Sequence, residues 1–213
     1  MNEKILKVKK ALEQNNMAVH YAENSAEVIS IVKTLIKKGD TVSCGGAVTL
    51  ADTGVDKLLK CGDYNFLDRS APDLTPEQVN EVYTKTFAAD AFFCSANAVT
   101  ENGELVNVDG RGNRVAALIF GPKRVICIVG VNKIVADVPA AFERIKQVAA
   151  PLNAKRLNKN TPCLHTGRCI AVGGGIAEGC RSENRICANY VISAHQMVKN
   201  RINVIICNQT LGY

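Results

Sequence analysis

Four of the nine cysteines of this chain, Cys163, Cys169, Cys180 and Cys187, fall in one short segment near the C-terminus, TPCLHTGRCIAVGGGIAEGCRSENRIC. Thiolates bind zinc or iron–sulfur clusters, and four of them complete either site from protein alone. The spacing is C-x5-C-x10-C-x6-C, looser than paired CxxC motifs. Gly173-Gly174-Gly175 lets the chain fold back between the second and third cysteines. His165 offers a substitute ligand. A metal site, a redox thiol pair and free cysteines in a loop are three readings of this segment. The metal site, with an iron–sulfur cluster or zinc as cofactor, is the expected one.

A second kind of chemistry, anion binding, is suggested by turns rich in glycine. Asn107-Val108-Asp109-Gly110-Arg111-Gly112-Asn113-Arg114 follows a strand pattern and precedes the apolar run Val115 to Phe120. Glycine lets backbone approach a ligand closely, and free N–H groups at such a turn attract anions. Arg111 or Arg114 would add bidentate contacts to a carboxylate or phosphate. Asp109 would orient the turn, bind a hydroxyl or act as acid/base. The plain alternative is a structural turn capped by Asp109 or Asn113. Ser43-Cys44-Gly45-Gly46-Ala47-Val48-Thr49 has the same strand–glycine–helix form. Cys44 there reads as a small buried apolar residue, since no base adjoins it. Ser95 and Asn97 close an apolar strand, and Lys133 lies just past another. In an open α/β sheet ligands sit beyond the carboxyl ends of the strands. Gly45, Gly46, Ser95, Asn97, Asp109, Gly112, Asn113, Arg114 and Lys133 are therefore expected to line one crevice for a small anionic ligand. For Ser95 and Asn97 the alternative is backbone satisfaction within a hairpin; for Lys133 it is an ordinary surface lysine.

The elements that must position these groups alternate between helix and strand. Ile5, Val8 and Leu12 recur at helical spacing. Asn24 and Glu27 form a capping-box pair before a helix carrying Val28, Ile29, Val32, Leu35 and Ile36. TVSC (41–44) reads as a buried strand, followed by a helix from Thr49 towards Leu59, and Tyr64 to Leu67 as a short strand. Thr75-Pro76-Glu77-Gln78 starts a helix with Val79, Val82, Tyr83 and Phe87 as its apolar stripe. Ala91 to Cys94 is a strand. A hairpin turning at Asn102-Gly103 and returning through Leu105, Val106 and Val108 follows it. RVICIVG (124–130) and INVIIC (202–207) are continuous apolar strands of the kind buried on both faces of a parallel sheet. Val138 to Ala149 is helical, with Asp137 as its cap. Strands alternating with helices predict an α/β sandwich around a mostly parallel sheet. Residues 151–194, with weak periodicity, are expected to form an irregular insertion in a single domain spanning 1–213.

Composition narrows the function classes. No apolar run approaches a membrane span of roughly 18 residues, and MNEKILKVKK lacks the apolar core of a signal peptide. A cytoplasmic location, with reduced thiols, is expected. Net charge is +6. Between Pro151 and Tyr190 six Lys/Arg face two Glu, a basic shell suited to thiolates or an acidic partner, or simply a solvated face. Without Trp, and with basic and aromatic residues not interleaved, nucleic acid is not an expected partner.

The stretch CSANAVTENGELVNVDGRGNRVAALIFGPKRVICIVGVNKIV (94–135) resembles the signature region of the lactate-utilisation (LUD) domain family. The Gly45-Gly46 turn with Thr49-Leu50, the closing Gln209-Thr210-Leu211-Gly212-Tyr213 and the TPC…RIC segment are similar as well. The resemblance implies a Rossmann-like three-layer fold like that of the sugar-phosphate isomerases and coenzyme A transferases. It also implies a link to oxidation of L-lactate to pyruvate beside iron–sulfur partner subunits. In the cysteine-bearing members the second and third cysteines usually stand close together; here ten residues separate them. Two functions are carried forward: a metal- or iron–sulfur-binding subunit of lactate oxidation, and an enzyme or sensor that binds a small carboxylate or phosphate, its cysteines forming a structural zinc clip. Assembly as a homo-oligomer is compatible with either.

Overall fold

The computed structural model describes residues 2–213. Six strands form the central sheet: β1 (Ala18–Ala22), β2 (Thr41–Cys44), β3 (Asn65–Leu67), β4 (Ala91–Cys94), β7 (Arg124–Gly130) and β10 (Ile202–Cys207). All pair in parallel, in the order β1-β10-β7-β4-β2-β3. In β4, β7 and β10 every residue but Arg124 is buried, as continuous apolar strands require.

Side chains leave a strand on alternating faces, so each face has its own core. Phe92, Val125, Cys127, Val129, Val204 and Ile206 pack on Ile5, Val8 and Leu12 of α1 (Glu3–Gln14) and on Leu118 of α6 (Asn113–Ile119). Phe93, Ile126, Ile128 and Ile205 pack on Val28 and Val32 of α2 (Ser25–Leu35). Leu50 of α3 (Val48–Asp52) and Val55 of α4 (Val55–Leu59) complete that face. This is the expected three-layer α/β sandwich.

A second sheet of four strands was not expected. It contains β5 (Ala98–Thr100), β6 (Leu105–Asp109), β8 (Ile134–Val135) and β9 (Asn189–Ser193), in the order β8-β5-β6-β9. The hairpin read from Asn102-Gly103 is its β5–β6 pair, in register Ala98↔Val106. Strand β9 lies inside the segment expected to be irregular and pairs with β6 from Leu105↔Ser193 to Asp109↔Asn189. That segment is also helical at its start. From Val138 to Arg156 one helical run passes through α7 (Val138–Arg144), a π-helical turn (Ile145–Ala149) and α8 (Ala150–Arg156). Only about 157–188, apart from the short α9 (Pro162–Thr166), is irregular.

Local signals mostly act as read, with informative differences. In α5 (Pro76–Thr86) the Thr75–Gln78 capping box forms on both sides. Its supposed apolar stripe is not core: Val79, Val82 and Tyr83 are not fully buried and Phe87 is exposed. Asn24 caps α2, but Glu27 turns back to the N–H of Glu23 rather than of Asn24. The helix expected over 49–59 breaks at Gly54, whose φ of +72° is left-handed. Asp137 caps α7 by accepting from the N–H of Ala140.

Candidate functional site

The ends of β2, β4, β6 and β7 open into a cavity of about 460 Å³. Gly46, Ser95, Asn97, Asp109, Asn113, Arg114 and Lys133 all line it, so seven of the nine predicted crevice residues meet there. The other two support it from behind. Gly45 lies against Arg114, whose Cδ would be 3.0 Å from any Cβ added at residue 45. Gly112 starts α6 with φ +88°, a conformation that favours glycine.

Lys133 is the chemical centre of the cavity. It sits on a 3-10 turn, Val131–Lys133, directly after β7, and only 3% of it is exposed. Its Nζ donates to Thr49 Oγ1 and to Ser95 Oγ, both at 2.9 Å. Burial lowers its pKa from 10.5 to about 8, and the neighbouring Arg144 and Arg114 charges push it the same way. An ammonium held so weakly gains from an anion beside it. Once deprotonated it becomes an amine capable of acting as base or nucleophile.

Asn132 beside it ties down the C-terminal segment. Its Oδ1 accepts from the N–H of Leu211 at 3.1 Å, and its amide donates to the carbonyls of Leu211 and Gly212 at 3.5 and 3.4 Å. Arg144 fixes the same turn by donating to Asn132 O at 3.2 Å and to Asn97 O at 2.5 Å.

Arg114 differs from its expected role. Its guanidinium is occupied by the protein itself: it donates to Ser95 O, Asn107 Oδ1, Asn97 Oδ1 and Val108 O at 2.6–3.1 Å, and its Nε lies 3.4 Å from Asp109 Oδ2. Asp109 in turn accepts from the N–H of Gly112 at 2.8 Å. Arg114 and Asp109 therefore build the glycine turn, the structural alternative, although both line the cavity. Asn97 Oδ1 also accepts from the N–H of Val108 at 2.9 Å, so Asn97 joins the β4 end to β6. Cys44 behaves as an apolar residue: burial pushes its thiol up to about 11.

Several further lining residues lie outside the expected crevice set. Arg69, Tyr83, Arg156, Lys159, Arg185 and Tyr213 come from distant parts of the chain. Two guanidiniums meet the Tyr83 ring, with Arg69 5.7 Å and Arg111 5.6 Å from its centroid. Arg156 donates to the Tyr213 hydroxyl at 3.0 Å and to Gly46 O at 3.3 Å. Seven Lys/Arg and two acids, Asp109 and Glu183, face the cavity. That imbalance selects anions.

The clustered cysteines lie in the irregular segment. All four are half-buried free thiols. Arg185 donates to the carbonyls of Cys187 at 2.9 Å and Cys180 at 3.3 Å. Burial raises the Cys187 thiol, Arg185 pulls it down, and Cys180 and Cys169 push it up. Cys163 instead contacts Thr161 Oγ1 at 3.2 Å. The donor chemistry suits a soft metal. The arrangement does not: among the described residues no three His, Cys, Asp or Glu side chains converge as metal ligands. Lys146, buried on the π-helical turn, donates to the carbonyls of Ala171, Gly174 and Gly175 at 2.6–2.9 Å. A cationic side chain holds the glycine loop here.

The family described as LUD domain matches residues 5–207. A solved DUF162 family protein from Deinococcus radiodurans is 16% identical, covering 97% of each chain, with a TM-score of 0.51. It shares the fold. Initiation factor eIF2B beta from Chaetomium thermophilum is 18% identical over 53% of this chain and 39% of its own, with a TM-score of 0.34. A malonate decarboxylase alpha subunit from Acinetobacter baumannii is 14% identical over 63% of this chain and 33% of its own, also with a TM-score of 0.34. No curated protein matches. No described helix is long and apolar enough to cross a membrane.

Proposed function

The chain belongs to the LUD domain family, and we propose that it binds a small carboxylate or phosphate metabolite in the cavity around Lys133. One observation carries this reading. A buried lysine, held among the described residues only by the neutral hydroxyls of Thr49 and Ser95, lines a cavity dominated by cationic side chains. A buried cation with no carboxylate partner is costly unless its ligand supplies the opposite charge. The association of LUD domains with lactate utilisation makes lactate and pyruvate the first carboxylates to try. In this reading the chain works as one domain: the parallel sheet supplies the floor, the second sheet and the irregular segment the walls.

The test is thermal unfolding with L-lactate, pyruvate and inorganic phosphate, since a ligand specific to the folded state raises Tm. Stabilisation of the native chain by any of the three supports the proposal, and loss of the lactate or pyruvate effect in Lys133→Met assigns it to this cavity. No stabilisation by any anion refutes it.

A second reading, a metal- or iron–sulfur-binding subunit supporting oxidation of L-lactate, draws on the four half-buried free thiols of the irregular segment. A bound cluster would supply electron transfer and a zinc ion a structural clip. Metal analysis and an absorption spectrum of protein purified without oxygen distinguish the two. Metal lost on Cys163→Ser/Cys169→Ser supports this reading, and metal-free protein removes it.

A further inference from the structure

Three arginines at the mouth of the Lys133 cavity have no acidic partner among the described residues. Arg69 donates to the Tyr83 hydroxyl at 3.0 Å, and Arg111 to Asn80 Oδ1 at 3.1 Å. Arg156 is bonded to Asn153 Oδ1, the Tyr213 hydroxyl and Gly46 O. All these acceptors are neutral. The two guanidiniums of Arg69 and Arg156 also converge on one point. A Cβ added to Gly46 would stand 2.7 Å from Arg69 Nη2 and 3.6 Å from Arg156 Nη2. The two like charges therefore lie within about 6 Å of each other, where they repel unless an anion lies between them. A side chain at position 46 would collide with the Arg69 guanidinium, so glycine there lets both guanidiniums approach the same stretch of backbone.

This convergence is separate from Lys133. Gly46 closely precedes α3, which carries Thr49, and Arg69, Arg156 and Lys133 line the same cavity. At about 460 Å³ the cavity is in the size class of sites for ligands much larger than a three-carbon acid. Guanidinium pairs suit the multi-oxygen face of a phosphate, whereas an ammonium with two hydroxyls suits a single carboxylate or carbonyl oxygen.

Building on the anion-binding reading above, we propose that the ligand is two-ended: a phosphate monoester clamped by Arg69 and Arg156 over Gly46, with a carboxylate or carbonyl at its other end against Lys133. Arg111, which also packs on the Tyr83 ring, holds Tyr83 and through it Arg69 in place.

Calorimetric titration of the full chain with pyruvate, inorganic phosphate, and two phosphorylated acids of different length, 3-phosphoglycerate and 6-phosphogluconate, tests this. At least one phosphorylated acid is expected to bind tenfold or more tighter than pyruvate or phosphate. Arg69→Gln and Arg156→Gln are expected to remove most of that advantage and to affect pyruvate far less. Lys133→Met is expected to weaken pyruvate and the phosphorylated acid but not inorganic phosphate. Phosphorylated acids that bind no tighter than pyruvate, or that are indifferent to both arginine variants, overturn the two-ended ligand and leave anion binding standing. If none of the four anions binds the native chain, anion binding and the inference fall together.

Discussion

Lys133 Nζ lies 2.9 Å from Thr49 Oγ1, a hydrogen bond that ties the turn after β7 to the helix after β2 across 84 residues of chain. The same nitrogen reaches Ser95 at the end of β4. Three neighbouring strand ends thus meet at one amine. Keeping this cation buried lowers the stability of the fold.

That loss is measurable. The move from 10.5 to about 8 corresponds to roughly 3 kcal/mol at neutral pH, as an upper figure. The unfolded chain holds this proton up to pH 10.5, and the folded chain releases it near 8. Between those values the unfolded state binds more protons, so stability rises with pH. Lys133→Met is expected to be more stable than the native chain at pH 7, by about 1–3 kcal/mol. The difference should shrink between pH 8 and 10.5. Urea unfolding at about pH 7 and pH 10 checks this.

Gly46→Ala separates ligand binding from folding. The atoms a Cβ would meet are the tips of two arginine side chains, which can swing away. Stability is expected to change by less than about 1 kcal/mol, while phosphate binding weakens at least fivefold. Unfolding and calorimetry on one preparation read both quantities.

Gly130→Ala should do the reverse. A Cβ at the end of β7 would meet Gln209 O at 2.5 Å and Leu211 N at 2.7 Å, and would also collide with Asn132 Oδ1. Backbone cannot swing away as a side chain can. A loss of about 1–3 kcal/mol is expected, together with release of the C-terminal segment that Asn132 anchors. Denaturant unfolding and hydrogen exchange over residues 209–213 measure the two effects.

Lys146→Met would orphan three carbonyls of the glycine loop. The cost is expected to be about 2–4 kcal/mol if the loop stays packed, or faster proteolysis within 171–175 if it opens. Limited proteolysis and unfolding together detect either response.

Much of the fold is legible in the residues themselves. The buried strands announce themselves because Val, Ile, Phe and Cys run with little interruption through β4, β7 and β10. The crevice follows from glycine turns placed after such strands, and Lys133 from its position just past one. Strands β1 and β9 leave no such signal: both are edge strands with polar residues among the apolar ones, and their alternation is too short to read. Arg69 and Arg156 escape notice because each is an ordinary surface residue by its neighbours. Tyr83 reads only as part of an apolar stripe and Tyr213 only as part of a closing motif, and the folding of separate segments onto one cavity makes the four a set. Arg114 is the converse case. Its type and position suit a ligand, yet Asn97, Asn107, Asp109 and two carbonyls already occupy it.

The most direct measurement is an NMR pH titration of the Lys133 side chain, assigned with Lys133→Met, in the presence and absence of saturating pyruvate. The account predicts a midpoint near 8 for the free protein. Bound anion should raise it by about a unit or more, because opposite charge favours the protonated amine. A lysine that titrates near 10.5 and is unmoved by any anion would contradict the assignment of this cavity as an anion site.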